Sequence, residues 1–258
     1  MTYDPRVSVR QFHLDGQHDQ SSHGRRGGAK AKPVDDEAVL DSVPGYDRKE
    51  ATRIAAGLAS TAAANEPAIT EQLARMVGDS DPADYRAPGT GQSELYGYAY
   101  RLKAQDKIAE KIGREMAEDP SLTMDTAAAK IKDTVRYTAH FTEGEFGSRA
   151  QSVIDALRGT GAAVKVKNSW PPEKGIPYKG VNAQVTRPDG FRYEVQFHTP
   201  QSQAVKDQMH KLYESQRVMS KDNPRWMELE REMIAIGTGQ PTPRDANEVF
   251  RLARMETT

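Results

Sequence analysis

Cysteine is absent from the 258 residues, which rules out disulfides, thiolate-held metals and cysteine nucleophiles. An excess of charge is absent too: 36 Lys and Arg against 37 Asp and Glu leave a formal net charge of −1. Nothing draws nucleic acid to the chain as a whole, so any phosphate binding has to come from local clusters. No apolar run approaches the roughly 20 residues of a membrane span, and none follows the first basic residues as a secretory signal requires. The expected place of action is therefore the cytoplasm. Apolar residues make up 36% and charged residues 28%, a balance that leaves part of the chain surface-rich or unfolded, although the length suffices for one large domain with a core.

The poorly patterned part comes first. Residues 1–47 hold almost no periodic apolar residues and include Ser21-Ser-His-Gly-Arg-Arg-Gly-Gly-Ala29, the composition of a flexible arm. One domain is expected over 48–258. His13, His18 and His23 repeat every five residues, which matches neither a helix face nor a strand face, so they are not read as a metal site. The string from His13 to Gly24 is similar to tails found near phage head-morphogenesis proteins, which implies a phage-encoded or delivered chain.

Ala-rich text from 48 to 78 predicts two helices separated near Asn65-Glu66-Pro67, because Pro67 suits a helix start. Residues 79–91 read as loop, and a third helix is predicted from Ser93 to Ala117. On it Lys103, Lys107 and Lys111 recur at four-residue steps beside an apolar stripe of Ala104, Ile108, Ile112 and Met116. Like charges so placed repel by roughly 0.2–0.5 kcal/mol per pair unless something negative lies beside them. A triphosphate is one candidate, and local neutralisation by Asp106, Glu110 and Glu115 is the other. Further on, the pattern predicts a strand from Thr134 to Phe141, a helix from Ser148 to Arg158 stopped by Gly159 and Gly161, and a strand from Ala163 to Ser169. A hairpin, a helix from Gln201 to Met219 and helical stretches near 223–236 and 243–255 follow. This order suggests an α/β (α+β) fold, a mixed sheet of about five strands flanked by helices.

The richest stretch is Tyr178–Thr199. Val181, Ala183 and Val185 alternate with Asn182 and Gln184, while Phe191, Tyr193, Val195 and Phe197 alternate with Arg192, Glu194, Gln196 and His198, the period of two half-buried strands. A three-residue loop of Pro188, Asp189 and Gly190, with glycine in the left-handed position, sets apolar opposite apolar. It predicts Gln184 across from Glu194 and Asn182 across from Gln196. A carboxylate among amides on one sheet face, with Tyr178 at its mouth, has the character of a ligand site, although an ordinary amphipathic hairpin shows the same alternation.

These residues also carry a family resemblance. Tyr178 followed by Glu194-Val-Gln-Phe-His-Thr199 is similar to the hairpin of RelA/SpoT-type alarmone synthetases, and Lys167 and Lys174 fall where that family keeps lysines. Arg101-Leu-Lys103-Ala-Gln-Asp-Lys107-Ile-Ala-Glu-Lys111 resembles its ATP-binding pattern, with Lys107 replacing a serine. Lys132-Asp133-Thr-Val-Arg136-Tyr137 resembles its metal-binding Asp on a strand that also carries an arginine. The four matches stand in family order over roughly residues 95–217; Asn182 replaces the usual His, and His198 the usual Arg.

The resemblance implies a nucleotidyltransferase-like synthetase fold and ATP-dependent transfer of pyrophosphate to the 3′-hydroxyl of a purine nucleotide. It implies Mg²⁺ on Asp133 and Glu194, with Glu194 also as base, and ATP phosphates on Arg101, Lys103, Lys111 and Arg136. Tyr178 would stack on the acceptor base and Lys167 and Lys174 hold its phosphates, in a pocket shared with Asn182, Gln196 and His198. Two alternatives stand beside this reading: transfer to the 3′ end of tRNA, and a non-catalytic phage structural protein that binds nucleotide or nucleic acid. The histidine- and aspartate-rich motif of the family's hydrolase domain does not occur before Arg101. A growth-arresting toxin or phage-encoded effector, acting in a bacterial cytoplasm and matched by an antitoxin or immunity protein, is therefore expected. Lys206, His210 and Tyr213 fall near one another on the helix after the hairpin, and the transfer scheme leaves His210 without a task.

Overall fold

The hairpin closes as its alternation requires. In the computed structural model, which describes residues 40–79, 93–171, 178–217, 219, 222–247 and 249, β4 (Val181–Thr186) and β5 (Arg192–His198) pair antiparallel with Gln184 opposite Glu194 and Asn182 opposite Gln196. Arg187 N–H donates to the Phe191 carbonyl across the loop, and Gly190 takes φ 86°, where a side chain would be strained. Together with β1 (Glu94–Tyr96), β2 (Arg136–His140) and β3 (Ala163–Asn168), the strands form a mixed five-stranded sheet in the order β1-β2-β5-β4-β3. Only the β2–β5 pair is parallel. The helices are α1 (Arg48–Val77), α2 (Gln105–Glu118), α3 (Met124–Lys130), α4 (Phe146–Gly159), α5 (Pro200–Arg217) and α6 (Pro224–Thr238). The expected α+β architecture is thus observed.

One sheet face makes the main core. Tyr137, Ala139, Val195, Phe197, Ala183 and Val185 on the strands meet Ile69, Leu73 and Val77 of α1 and Val153, Ile154 and Leu157 of α4. A second cluster joins α1, α2 and α3 through Ala51, Ala55, Ile108, Ile112, Met116 and Ala127. Packing begins upstream of residue 48, since Leu40 is buried and Val43 and Tyr46 lie against the second cluster.

Several expectations need correction. The two helices expected over 48–78 are one, running from the Asp47 cap to Gly78 at φ 82°, with Pro67 inside. An interior proline costs about 3 kcal/mol; burial of Ala62, Glu66, Ile69, Thr70 and Leu73 on both sides of it outweighs that cost. The helix expected from Ser93 is instead β1, a 3₁₀ turn over Tyr98–Tyr100 and α2, which begins only at Gln105. Gly97 at φ 63° breaks the segment, and a bridge between Leu102 and Val135 ties it to the sheet. Lys103 is therefore not on the helix of Lys107 and Lys111. The α4 N-terminus lies at Phe146 and is closed by Asp245, whose carboxylate accepts from the Gly147 and Ser148 amides at 2.8 and 2.9 Å; Asp245 itself sits in a turn over 244–247, where a helix was expected. Finally, β5 is not half-buried but buried on both faces, since α5 folds back over its polar side.

Candidate functional site

The sheet register sorts the polar side chains into rows on the face opposite the main core. Lys165, Gln184, Glu194 and Arg136 are successive partners across four strands. Lys167, Asn182, Gln196, Thr138 and Tyr96 form the next row, and His198, His140 and Glu94 the one after. Strand period alone puts them together, because every second residue of each strand points the same way.

At one end stands Asp133, 2% exposed. Its Oδ1 accepts from Lys111 Nζ and its Oδ2 from Lys103 Nζ, both at 2.8 Å. The negative partner that the lysine pattern demanded is thus Asp133 for two of the three; Lys107 pairs with Glu110 at 2.7 Å. Lys103 arrives by the Leu102 bridge and Lys111 from α2, so two unrelated elements converge on one carboxylate. Glu194, 4% exposed, has its proton affinity raised by burial first and by the Asp133 charge second, with Arg136 and Lys111 opposing.

A relay runs from Glu194 along the face. Gln196 Nε2 donates to Glu194 Oε1 at 2.6 Å, and Lys206 Nζ donates to Gln196 Oε1 at 2.7 Å. Burial, aided by the Arg136 charge, lowers the Lys206 pKa to about 7. Lys206 is a member of the site that the sequence placed on a helix face but did not connect with the sheet. The signal was indirect: a lysine four residues before His210 on an amphipathic helix does not reveal which strand it covers.

The far end is a neutral network. Tyr178, 3% exposed, donates its hydroxyl proton to Asn182 Oδ1 at 2.7 Å and meets His198 Nε2 at 2.9 Å, while His198 Nδ1 lies 2.9 Å from Ser202 Oγ. With the ring proton on Nε2, His198 donates to the Tyr178 oxygen and its Nδ1 accepts from the Ser202 hydroxyl. Burial holds the His198 pKa well below its usual value, with the Lys206 charge adding to it, so the ring stays neutral. Gly180 permits this closeness, since a Cβ there would stand 2.6 Å from His198 Cε1 and 2.8 Å from the Tyr178 hydroxyl. The tyrosine is packed edge-on to His198, with ring centroids 5.4 Å apart, instead of lying open at the mouth of the site. Beyond it, His140 Nδ1 faces Glu94 Oε1 at 3.2 Å and stacks on Tyr96. Glu94 and Tyr96 escaped the sequence reading because a three-residue strand shows no period.

Of the expected residues, Asp133, Lys103, Lys111, Glu194, Arg136, Asn182, Gln196, His198 and Tyr178 belong to this face or its edge. Lys167 pairs in register with Asn182 on β3. Arg101 is turned elsewhere: its guanidinium binds the Glu66 carboxylate of α1, with Nη2 3.3 Å from Oε2, and covers the Tyr98 ring at 3.9 Å. Lys174 lies outside the described residues. Among the described residues no group of three or more His, Asp and Glu is arranged to hold a metal. No helix among them is long and apolar enough to cross a membrane.

Fold and site define an α+β protein whose mixed sheet carries a buried row of ionisable groups opposite its core. No family model matches the chain, and no curated protein matches it. Among solved structures, a chain from the crystal structure of the complex between the Type VI effector Tas1 and its immunity protein is similar at 21% identity and a TM-score of 0.43, over 74% of this chain and 96% of that one.

Proposed function

We propose that this protein transfers pyrophosphate from ATP to the 3′-hydroxyl of a purine nucleotide. The observation that supports the reading is the meeting of Asp133, Lys103, Lys111, Glu194 and Arg136 at one end of a sheet face. Phosphoryl-type transfer asks for little else than positioned cations, a carboxylate pair and a base.

The acceptor oxygen attacks the β-phosphorus of ATP, the bond from that phosphorus to the oxygen bridging to the α-phosphate breaks, and AMP leaves. Glu194 takes the proton from the attacking hydroxyl; burial raises its proton affinity, which strengthens it as a base. Lys103, Lys111 and Arg136 hold the phosphate oxygens by charge-assisted hydrogen bonds. Gln196, fixed by Lys206, keeps the Glu194 carboxylate aimed. The donor set fits Mg²⁺, which takes one or two carboxylates and leaves the rest of its shell to phosphate and water; the repulsion between Asp133 and Glu194 is what a dication relieves. Asp133 and Glu194 would hold it where it would supply charge neutralisation to the transferring phosphates. Asn182 and His198, neutral and anchored, line the acceptor side. Such an enzyme consumes ATP and purine nucleotides and arrests growth unless an immunity partner blocks it.

Magnesium-dependent release of AMP from ATP, with labelled product sought on GDP, GTP, ATP and deacylated tRNA, tests this. Label on a free purine nucleotide is expected. Label on tRNA alone sinks the nucleotide acceptor, and absence of AMP release under every acceptor sinks the enzyme.

A further inference from the structure

The strand row that carries Glu194 continues, through Gln184 and Lys165, into a groove that no part of the transfer scheme uses. The groove, of about 430 Å³, is lined by Lys132, Lys165, Gln184, Thr186 and Arg192 together with backbone and apolar atoms of Ala163, Val164 and Val185. That volume lies within the range of small-molecule sites. It is continuous with the reacting end by register: Gln184 is the strand partner of Glu194 and Lys165 of Gln184, while Arg192 is partnered by Thr186 one row out. Lys132 immediately precedes Asp133.

Three features give the groove its chemistry. Three cations line it and no carboxylate does. The Arg192 guanidinium is fixed, donating to the Ala129 carbonyl at 2.6 Å, so it is oriented before any ligand arrives. Lys132 and Lys165 have open access, one half-buried and one exposed. The amide of Gln184 and the hydroxyl of Thr186 add neutral donors between the cations. By contrast, Gln196 and His198 are buried under α5 and Tyr178, whereas Lys165 and Gln184, which continue the row of Glu194, are exposed and half-buried.

We infer that this groove is a phosphate subsite, in which Lys132, Lys165 and Arg192 take the phosphate chain of a nucleotide whose reacting end lies at Glu194. The inference rests on the transfer reading for what happens at Glu194, but the subsite is testable as binding alone. The shared chemistry is a polyphosphate; its source is either the donor triphosphate or the acceptor diphosphate.

The test is calorimetric titration of the full chain with inorganic tripolyphosphate, then with a non-hydrolysable ATP analogue and with GDP, in the wild type and in Lys132→Ala/Lys165→Ala. Charge-assisted contacts of this kind predict at least a tenfold weakening of tripolyphosphate in the double variant, and Lys165→Arg, which keeps the charge, should bind within about threefold of wild type. The same loss with GDP alone assigns the groove to the acceptor, and with the ATP analogue alone to the donor. Tripolyphosphate binding within twofold of wild type in the double variant overturns the subsite. So does a wild type that binds deacylated tRNA but neither tripolyphosphate nor nucleotide. AMP release measured on the same samples separates the two proposals: activity with unchanged binding in the double variant sinks the subsite alone, and lost binding without any activity in the wild type sinks the transfer alone.

Discussion

Replacing Asp133 by asparagine tests both the architecture and the chemistry. The change keeps size and removes one charge from a cluster in which Asp133, Lys103 and Lys111 side chains are 3, 7 and 4% exposed. Two ammonium groups at 2.8 Å lose this counter-charge while staying buried. Breaking a buried pair from one side costs about 3–5 kcal/mol, because the remaining charge is left uncompensated. That is a large share of the roughly 5–15 kcal/mol that holds a domain together, and in a chain of this size it lowers Tm by about 6–20 °C. Urea unfolding followed by circular dichroism at pH 7 measures it. Removing one of the stranded cations as well, in Asp133→Asn/Lys111→Met, should recover roughly half of the loss, since the two sites are directly coupled. A single variant within about 1 kcal/mol of wild type, or a double variant less stable than Asp133→Asn, would refute the reasoning. The consequence for function is direct: activity of Asp133→Asn has to be read well below its own Tm, or loss of fold passes for loss of chemistry.

Glu194→Gln should behave in the opposite way, abolishing transfer while leaving the protein at least as stable at neutral pH. The folded-state pKa of Glu194 is raised, so its contribution is present below the unfolded value and lost as pH rises through the folded one; a neutral amide escapes that loss, and retention of most activity would exclude Glu194 as base. Lys206 has its pKa lowered to about 7 against 10.5 for the ordinary side chain, so the unfolded chain binds more protons between those values and stability should rise with pH across the window. In Lys206→Met that rise should vanish, as pH-dependent unfolding will tell. Gly180→Ala forces a Cβ to within 2.6 Å of His198 and should cost about 1–3 kcal/mol by overpacking; the acceptor KM should rise with ATP affinity unchanged, and a rise in the ATP Kd alone would reverse the assignment of the two pockets.

What the sequence determined by itself is local or periodic. The alternation from Val181 to His198 set the hairpin, its loop and its register, because a slip of one residue would turn every apolar side chain to the wrong face. The same alternation already put Asn182, Gln184, Glu194, Gln196 and His198 on one side. How distant elements meet was set by long-range packing. Pro67 argued for two helices, and burial along α1 overrode it. The lysine steps implied a negative partner without saying that Asp133, from a different element, supplies it to Lys103 and Lys111. The family resemblance implied Arg101 as a phosphate ligand, and in the fold Glu66, 35 residues earlier, takes its guanidinium. Lys206 joins Gln196, and Asp245 caps a helix 98 residues upstream. Such pairings depend on the order in which strands assemble and on which helix covers which face. Those are long-range packing choices, and no window of neighbouring residues contains them.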